Sequence, residues 1–306
     1  GSFNLIANLE TNLSVNIPIS SIEKLNSFDS IFKEIETLKT KKVIKDSQYL
    51  FSSLIDIIEG KDFVLLHSTL HEFCKSIDEA KKFVQQLHSI ASKTNTVFFI
   101  PAFTDKFLKT GYIDMKLTPS KTGLLSELLL REKGAEIIGN PFYRYILIKD
   151  KNNTKFSKLS CIENNINILN LFKSTNSIII WMGDSSKKSF TFLRYIEEEN
   201  KVPYRFYKTF IGTRVFNRVK QKYEFKMYVK RMDEENIFVD NKNAFEDCQS
   251  SDIIKTNAKI KNIFFANSKD LAREISNNLK KNPYYYAIKT KKPIKNHIFQ
   301  EIKNLT

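Results

Sequence analysis

Residues 97–149 constrain this chain more than any other stretch: VFFIPAFTDKFLKTGYIDMKLTPSKTGLLSELLLREKGAEIIGNPFYRYILIK. Val97–Ile100 is an apolar, β-branched and aromatic run, which reads as a buried strand. Pro101 ends it, because proline has no N–H for a central ladder. A polar loop leads to Thr118-Pro119-Ser120-Lys121-Thr122-Gly123. This segment offers hydroxyls, a fixed proline φ and a permissive glycine directly before the helical run Leu124–Leu130. Hydroxyls and free backbone N–H groups at a helix start form an anion site. Gly134 and Gly139-Asn140-Pro141 then turn the chain into a second strand, Tyr143–Ile148.

The neighbouring segments follow the same logic. Leu50–Ile58 reads as a short helix stopped at Gly60, and Phe63–His67 as a strand. Ser76-Ile77-Asp78-Glu79 is a capping box that opens a helix to about Ser92. The spacing from 63 to 100 therefore predicts a βαβ crossover. Residues 151–176 hold a strand and a short helix. Ser177–Met182 is another buried strand, with Trp181 in the core. Gly183 to Ser189 is a polar loop opening a helix that ends near Asn200. Val202–Lys208, Tyr223–Lys230 and Ile263–Ala266 read as strands, Asp270–Lys281 as a helix, and Tyr284–Ile288 follows it. Ile22–Lys41 has the three-and-four spacing of an amphipathic helix.

Charge is unevenly placed. Residues 201–306 carry 23 Lys and Arg against 11 Asp and Glu, or +12 of the chain's net +15. That balance favours anionic ligands, although a lysine-rich solvated surface explains most of it. No RNP, zinc-finger or GxxG pattern argues for nucleic acid. Cys74, Cys161 and Cys248 are odd in number and far apart, so they read as reduced residues of a cytoplasmic protein and not as disulfides or metal ligands. No apolar run approaches a membrane span, and no leader pattern marks the N-terminus.

PAFTD, TPSKTGLLSELLLREKGA and NPFYRYILI together resemble the aminoglycoside 3-N-acetyltransferase family. The likeness extends back to Gly60–Leu70 and forward through Ile178–Asp184 and Phe190–Glu198, covering roughly residues 45–215. It implies acetyl-CoA (or another acyl-CoA) as cosubstrate, held by His67, Ser68 and Thr69 and by Ser120, Thr122 and Gly123. It implies a base near residues 140–144, with a carboxylate from the helix at 190–198 in support. It places Thr104, Asp105, Arg144, Asp184 and Arg194 on the acceptor side, and it implies no metal.

The chain departs from the family where the family has histidines. His-Pro is replaced by Asn140-Pro141, and the following polar pair by Tyr143 and Arg144. A histidine of the later helix is replaced by Arg194. Three readings stand. Glu197 or Glu198 serves as base, helped by Tyr143 and Asn140, if burial raises its pKa. His67 or His71 takes the role over. Or the protein has lost transfer and binds a ligand or partner. Arg144 and Arg194 suggest an anion site at the mouth, which argues against a polycationic acceptor.

The expectation is an α/β fold: an αβα sandwich around a central mixed, mostly parallel sheet. Residues 3–44 form a helical extension and 45–306 the main domain, with about 216–306 covering the acceptor cleft. The expected function is acyl-CoA-dependent transfer to an amino or hydroxyl group of an amino sugar or nucleotide sugar in glycan biosynthesis, in a chain that forms a possible homodimer. The alternative is a catalytically inactive relative that acts as a ligand-binding or scaffold protein.

Overall fold

The computed structural model describes residues 46–153, 164–231 and 237–289. The chain divides into two units after Ser53. Of the first unit only residues 46–53 are described, the start of helix α1 (Asp46–Ile58). The predicted extension 3–44, the helix Ile22–Lys41 and Cys161 lie outside the described residues.

In chain order the second unit continues with β1 (Phe63–Ser68), α2 (Ile77–Thr94), β2 (Val97–Pro101), α3 (Lys106–Thr110), β3 (Tyr112–Asp114), α4 (Leu124–Leu130), β4 (Glu136–Gly139) and β5 (Arg144–Ile148). Then come α5 (Asn165–Ser174), β6 (Ser177–Met182), α6 (Thr191–Glu199), β7 (Arg205–Phe216), β8 (Val219–Lys230), β9 (Ile237–Val239), α7 (Asn241–Ser250), β10 (Lys255–Thr256), β11 (Ile263–Asn267), α8 (Ser268–Lys281) and β12 (Ala287–Lys289).

The apolar runs become the middle of a seven-stranded sheet, ordered β10-β11-β6-β1-β2-β5-β4. β1 pairs in parallel with both β2 and β6. The sheet is mixed, as expected. Five strands run one way, and the two reversed strands, β11 and β5, are spaced among them, so only the central pairs are parallel. The crossover from β1 to β2 is α2, as the capping box predicts. Ser76 Oγ accepts the Glu79 N–H at 3.1 Å, and the Glu79 carboxylate accepts the Lys75 N–H at 2.8 Å. Asn95, at φ 50°, ends the helix in a left-handed turn.

Side-chain alternation separates the two faces of the sheet. Phe63, Leu65, Phe99, Tyr145, Ile179 and Trp181 share one core with α5, α6, α7 and α8. The apolar stripe of α2, with Phe83, Val84, Leu87 and Ile90 fully buried, lies outside that core, on the other face beside α4. Each such side chain contributes roughly 1.5–3 kcal/mol on burial, which outweighs the helix propensity of any single residue.

Three boundaries differ from the sequence reading. The turn expected over Gly134–Pro141 contains a strand, β4, whose four residues are too short to signal themselves. The strand expected at Val202–Lys208 begins at Arg205 and runs to Phe216. It continues because Asn217 and Arg218, at φ 49° and 66°, form a two-residue hairpin turn into β8. With β3 this hairpin makes a separate three-stranded sheet. The helix Asn241–Ser250 had no sequence counterpart in the reading of the basic C-terminal third.

Gly139 closes the β4–β5 hairpin at φ 93°, and a Cβ there would stand 2.1 Å from the Tyr143 carbonyl oxygen. Gly139→Ala is expected to destabilise the fold by about 2 kcal/mol or more, from a disfavoured φ and a backbone clash together. Urea unfolding against Gly134→Ala, whose Cβ would meet nothing within 4 Å, checks this.

Candidate functional site

The strand order places a crevice where the chain reverses direction of travel. β1 lies between β2, which follows it directly, and β6, which arrives from much later in the chain. In open α/β sheets ligands gather beyond the carboxyl ends of strands at such a point. Here the ends of β1 and β2, the segment after β6 and the start of α4 surround a pocket of about 200 Å³. Its walls include His67 and Ser68 from β1, Thr122 and Ser126 around the α4 start, and Tyr143, Lys188, Arg194 and Asn241.

His67 sits on the penultimate residue of β1, buried, its ring stacked on Trp181 at 6.1 Å. Its Nε2 has no hydrogen-bond partner. Burial depresses its pKa to about 3, so the imidazole is neutral near pH 7. Across the pocket three hydroxyls interlock. Ser120 Oγ lies 2.7 Å from Thr122 Oγ1, and Ser126 Oγ lies 3.0 Å from both. Thr122 Oγ1 also donates to the Pro101 carbonyl at 2.6 Å. Gly123, at φ 115°, caps α4, and the Glu127 carboxylate reaches back to the Ser120 N–H.

The two hydroxyl-bearing corners expected to share a ligand thus line one pocket through His67, Ser68 and Thr122. Ser120 and Gly123 do not line it, although Ser120 bonds the lining residues Thr122 and Ser126. Thr69 donates its N–H to Met182 and packs beside Gly183, outside the lining. The expected ligand-gathering loop after β6 has its own occupant: the Glu72 carboxylate accepts the N–H groups of Asp184 and Ser185 at 2.7 and 3.1 Å. Asp184 is exposed, pairs with Lys187 at 2.8 Å and does not line the pocket. Thr104 accepts the Lys106 N–H, and Asp105 is held below its ordinary pKa because Lys121 and Lys109 outweigh its burial; neither lines the pocket.

On the opposite side a buried carboxylate is shared. Glu197, fully buried, lies 3.0 Å from Arg194 and 2.9 Å from Arg205, and accepts the Tyr204 hydroxyl at 2.8 Å. Burial pushes its carboxyl up, but the two guanidiniums and the hydrogen bonds prevail, and the net direction is down. The condition for Glu197 as a base, a pKa raised by burial, is therefore not met. Glu198 is raised by burial, but it accepts from Asn165 at 3.2 Å and stands outside the pocket lining. Tyr143 lines the pocket, packed against Phe103 and Tyr195, and burial pushes its phenol up. Asn140 holds the turn before Pro141, its Oδ1 accepting from the Phe142 and Tyr143 N–H groups at 2.9 and 2.7 Å. His71 does not line the pocket.

Arg144 corrects the sequence reading most sharply. It is fully buried, with its guanidinium donating to the carbonyls of Ala102, Met115 and Thr118. It clamps the loop between β2 and α4 and offers nothing at a pocket mouth. Arg194 does reach the pocket, where Nη2 donates to Asn241 Oδ1 at 3.0 Å. Sequence reasoning missed Ser126, which lies one helical turn after Thr122 and was open to discovery by that spacing. It also missed Arg205 and Asn241, which only folding brings to Glu197 and Arg194. Among the described residues no cluster of three or more metal-ligating side chains occurs, and no helix is long and apolar enough to cross a membrane.

Sheet order and flanking helices give the chain the fold of the aminoglycoside 3-N-acetyltransferases. It is similar to the AAC(3)-IVa apoenzyme (12% identity, TM-score 0.54, covering 78% of this chain and 90% of that one) and to AAC-IIIb in binary complex with CoASH (11%, TM-score 0.58, 80% and 97%). It is also similar to YokD from Bacillus subtilis (12%, TM-score 0.57, 77% and 99%). At these identities the relation is one of fold. No family model matches the chain, and no curated protein matches it.

Two outcomes test the electrostatics. Glu197→Gln leaves two partly buried guanidiniums without this counter-charge and is expected to cost up to about 3–5 kcal/mol in chemical unfolding. A folded pKa below the unfolded value means that the wild-type carboxylate stabilises fully above the ordinary carboxylate range. That contribution fades as pH falls through the folded value, a loss Glu197→Gln does not show. His67 acts differently: between about pH 6.5 and 3 the unfolded imidazole binds a proton that the folded one refuses. Wild-type stability should therefore fall with pH through that window more steeply than that of His67→Gln, measured as unfolding free energy at each pH.

Proposed function

We propose that the chain is an acyl-CoA-dependent transferase, with acetyl-CoA as donor and an amino or hydroxyl group of a sugar as acceptor. The observation that carries this reading is the convergence of His67 and Ser68 with Thr122 and Ser126 on one pocket in a fold of this kind. The fold is supportive because a solved example holds CoASH and another holds sisomicin, an aminoglycoside.

The lining fits the thioester end of such a donor. The unpartnered Nε2 of His67 and the hydroxyls of Ser68, Thr122 and Ser126 offer hydrogen bonds to a pantetheine amide or thioester oxygen. A pocket of about 200 Å³ takes that end and not the whole nucleotide. In the reaction, the acceptor nitrogen or oxygen attacks the thioester carbonyl carbon and the C–S bond breaks. The proton lost by the acceptor ends on the sulfur, giving the free thiol. We assign to His67, whose buried Nε2 has no partner in the fold, the role of accepting a hydrogen bond from the attacking group. The basic C-terminal part would cover the acceptor cleft through α7, which contributes Asn241.

A second reading, a ligand-binding relative without turnover, draws on the protonation states. His67 is held neutral, the Tyr143 phenol is raised and Glu197 is tied to two arginines. None of these is poised near pH 7 as a general base. Calorimetry with coenzyme A and a thiol-release assay over a panel of amino sugars separate the two. Transfer predicts CoA binding, weakened about tenfold or more by Thr122→Val, together with acceptor-dependent thiol release. Binding without release supports the second reading, and no CoA heat overturns the first.

A further inference from the structure

We propose that the acceptor of this pocket carries an acid group, a phosphate or a carboxylate, received at the end formed by Arg194, Lys188 and Asn241. The proposal rests on the transferase reading for the word acceptor, but its charge argument is separate. Among the residues lining the pocket, two are cationic, Lys188 and Arg194, and none is Asp or Glu. The carboxylate nearest Arg194 is Glu197, and it is not Arg194's alone. It serves Arg205 as well, at 2.9 Å against 3.0 Å, and Glu198 also acts on Arg205, so the cluster as a whole sets two carboxylates against two guanidiniums. What the pocket sees is uneven: Lys188 and Arg194 line it, while both carboxylates of the cluster stay outside the lining.

That cationic end is held in place. Arg194 is fixed through Nη1 to Glu197 and through Nη2 to Asn241 Oδ1, and Asn241 Nδ2 donates to the Lys188 main-chain carbonyl at 2.9 Å. One hydrogen-bonded chain thus runs from a buried carboxylate to the rim, where Lys188 is exposed. The other carboxylate of that helix turn, Glu198, accepts from Asn165, acts on Arg205 and does not line the pocket. A half-enclosed cation attracts an anion more strongly than a solvated one does, and it repels a sugar bearing several ammonium groups. The attacking amine or hydroxyl then belongs to a different carbon of the same sugar, toward His67.

The test is calorimetry on the full chain with four probes: glucosamine, glucosamine 6-phosphate, glucuronic acid and the polycation kanamycin. The expected order is the two acidic sugars at least about tenfold tighter than glucosamine, kanamycin weakest, and the acidic preference shrinking as salt is raised. Lys188→Ala, at an exposed rim residue that folding does not need, should lower glucosamine 6-phosphate affinity and leave glucosamine unchanged. Arg194→Gln, checked for folding by circular dichroism, should do the same more strongly. Equal binding of neutral and acidic sugars, tighter kanamycin, or no sugar binding at all would overturn the proposal. So would a Lys188→Ala effect on coenzyme A without one on the acidic sugar, because the cations would then serve the cofactor's own phosphates. Acidic-sugar binding without any CoA binding sinks the transferase reading alone. CoA binding without charge preference sinks this inference alone.

Discussion

A carboxylate out of contact with water joins three parts of this molecule. Glu197 extends from α6 and meets Arg194 on its own helix, Tyr204 in the following turn and Arg205 at the start of the long hairpin. Removing ions from water is costly, and a buried pair breaks roughly even against apolar packing of the same shape. The arrangement is better understood as a specifying device than as a source of stability. It fixes the direction in which the hairpin leaves the central domain, and it aims Arg194 at the pocket.

The opposite wall depends on a second buried charge. Arg144 reaches three carbonyls in the loop between β2 and α4. Burial lowers its pKa to about 10, still high enough to keep the guanidinium charged near pH 7. Carbonyl groups accept from its donors without a salt bridge, and the segment from Ala102 to Thr118 is tied to one point. That loop delivers Thr122 to the pocket. Ser120, Thr122 and Ser126 then satisfy one another, so their hydroxyls are ordered before any ligand arrives. Such preorganisation suits a binding surface, while it also means that a ligand must compete with internal hydrogen bonds.

Much of the architecture was legible in the residues themselves. Phe63–His67, Val97–Ile100 and Ser177–Met182 announced buried strands by apolar runs alone, and all three became the parallel centre of the sheet. Ser76 and Glu79 marked the start of α2, and Gly123 the start of α4, because caps are local chemistry. The β4 strand and the full length of β7 were not legible. A four-residue strand carries too little periodicity, and a hairpin turn through Asn217-Arg218 lacks the glycine that announces such turns.

The sequence by itself determined the strand and helix periods, the hydroxyl-rich turns and the capped helix starts. These follow from residues adjacent or one helical turn apart, where interactions need no partner from elsewhere. Only the tertiary structure decided what the charges do. It buried Arg144 under three carbonyls, gave Glu197 to two arginines and carried Asn241 to Arg194 from 47 residues away. A pKa and an ion pair depend on distances and on the loss of water, and both are set when distant segments pack together.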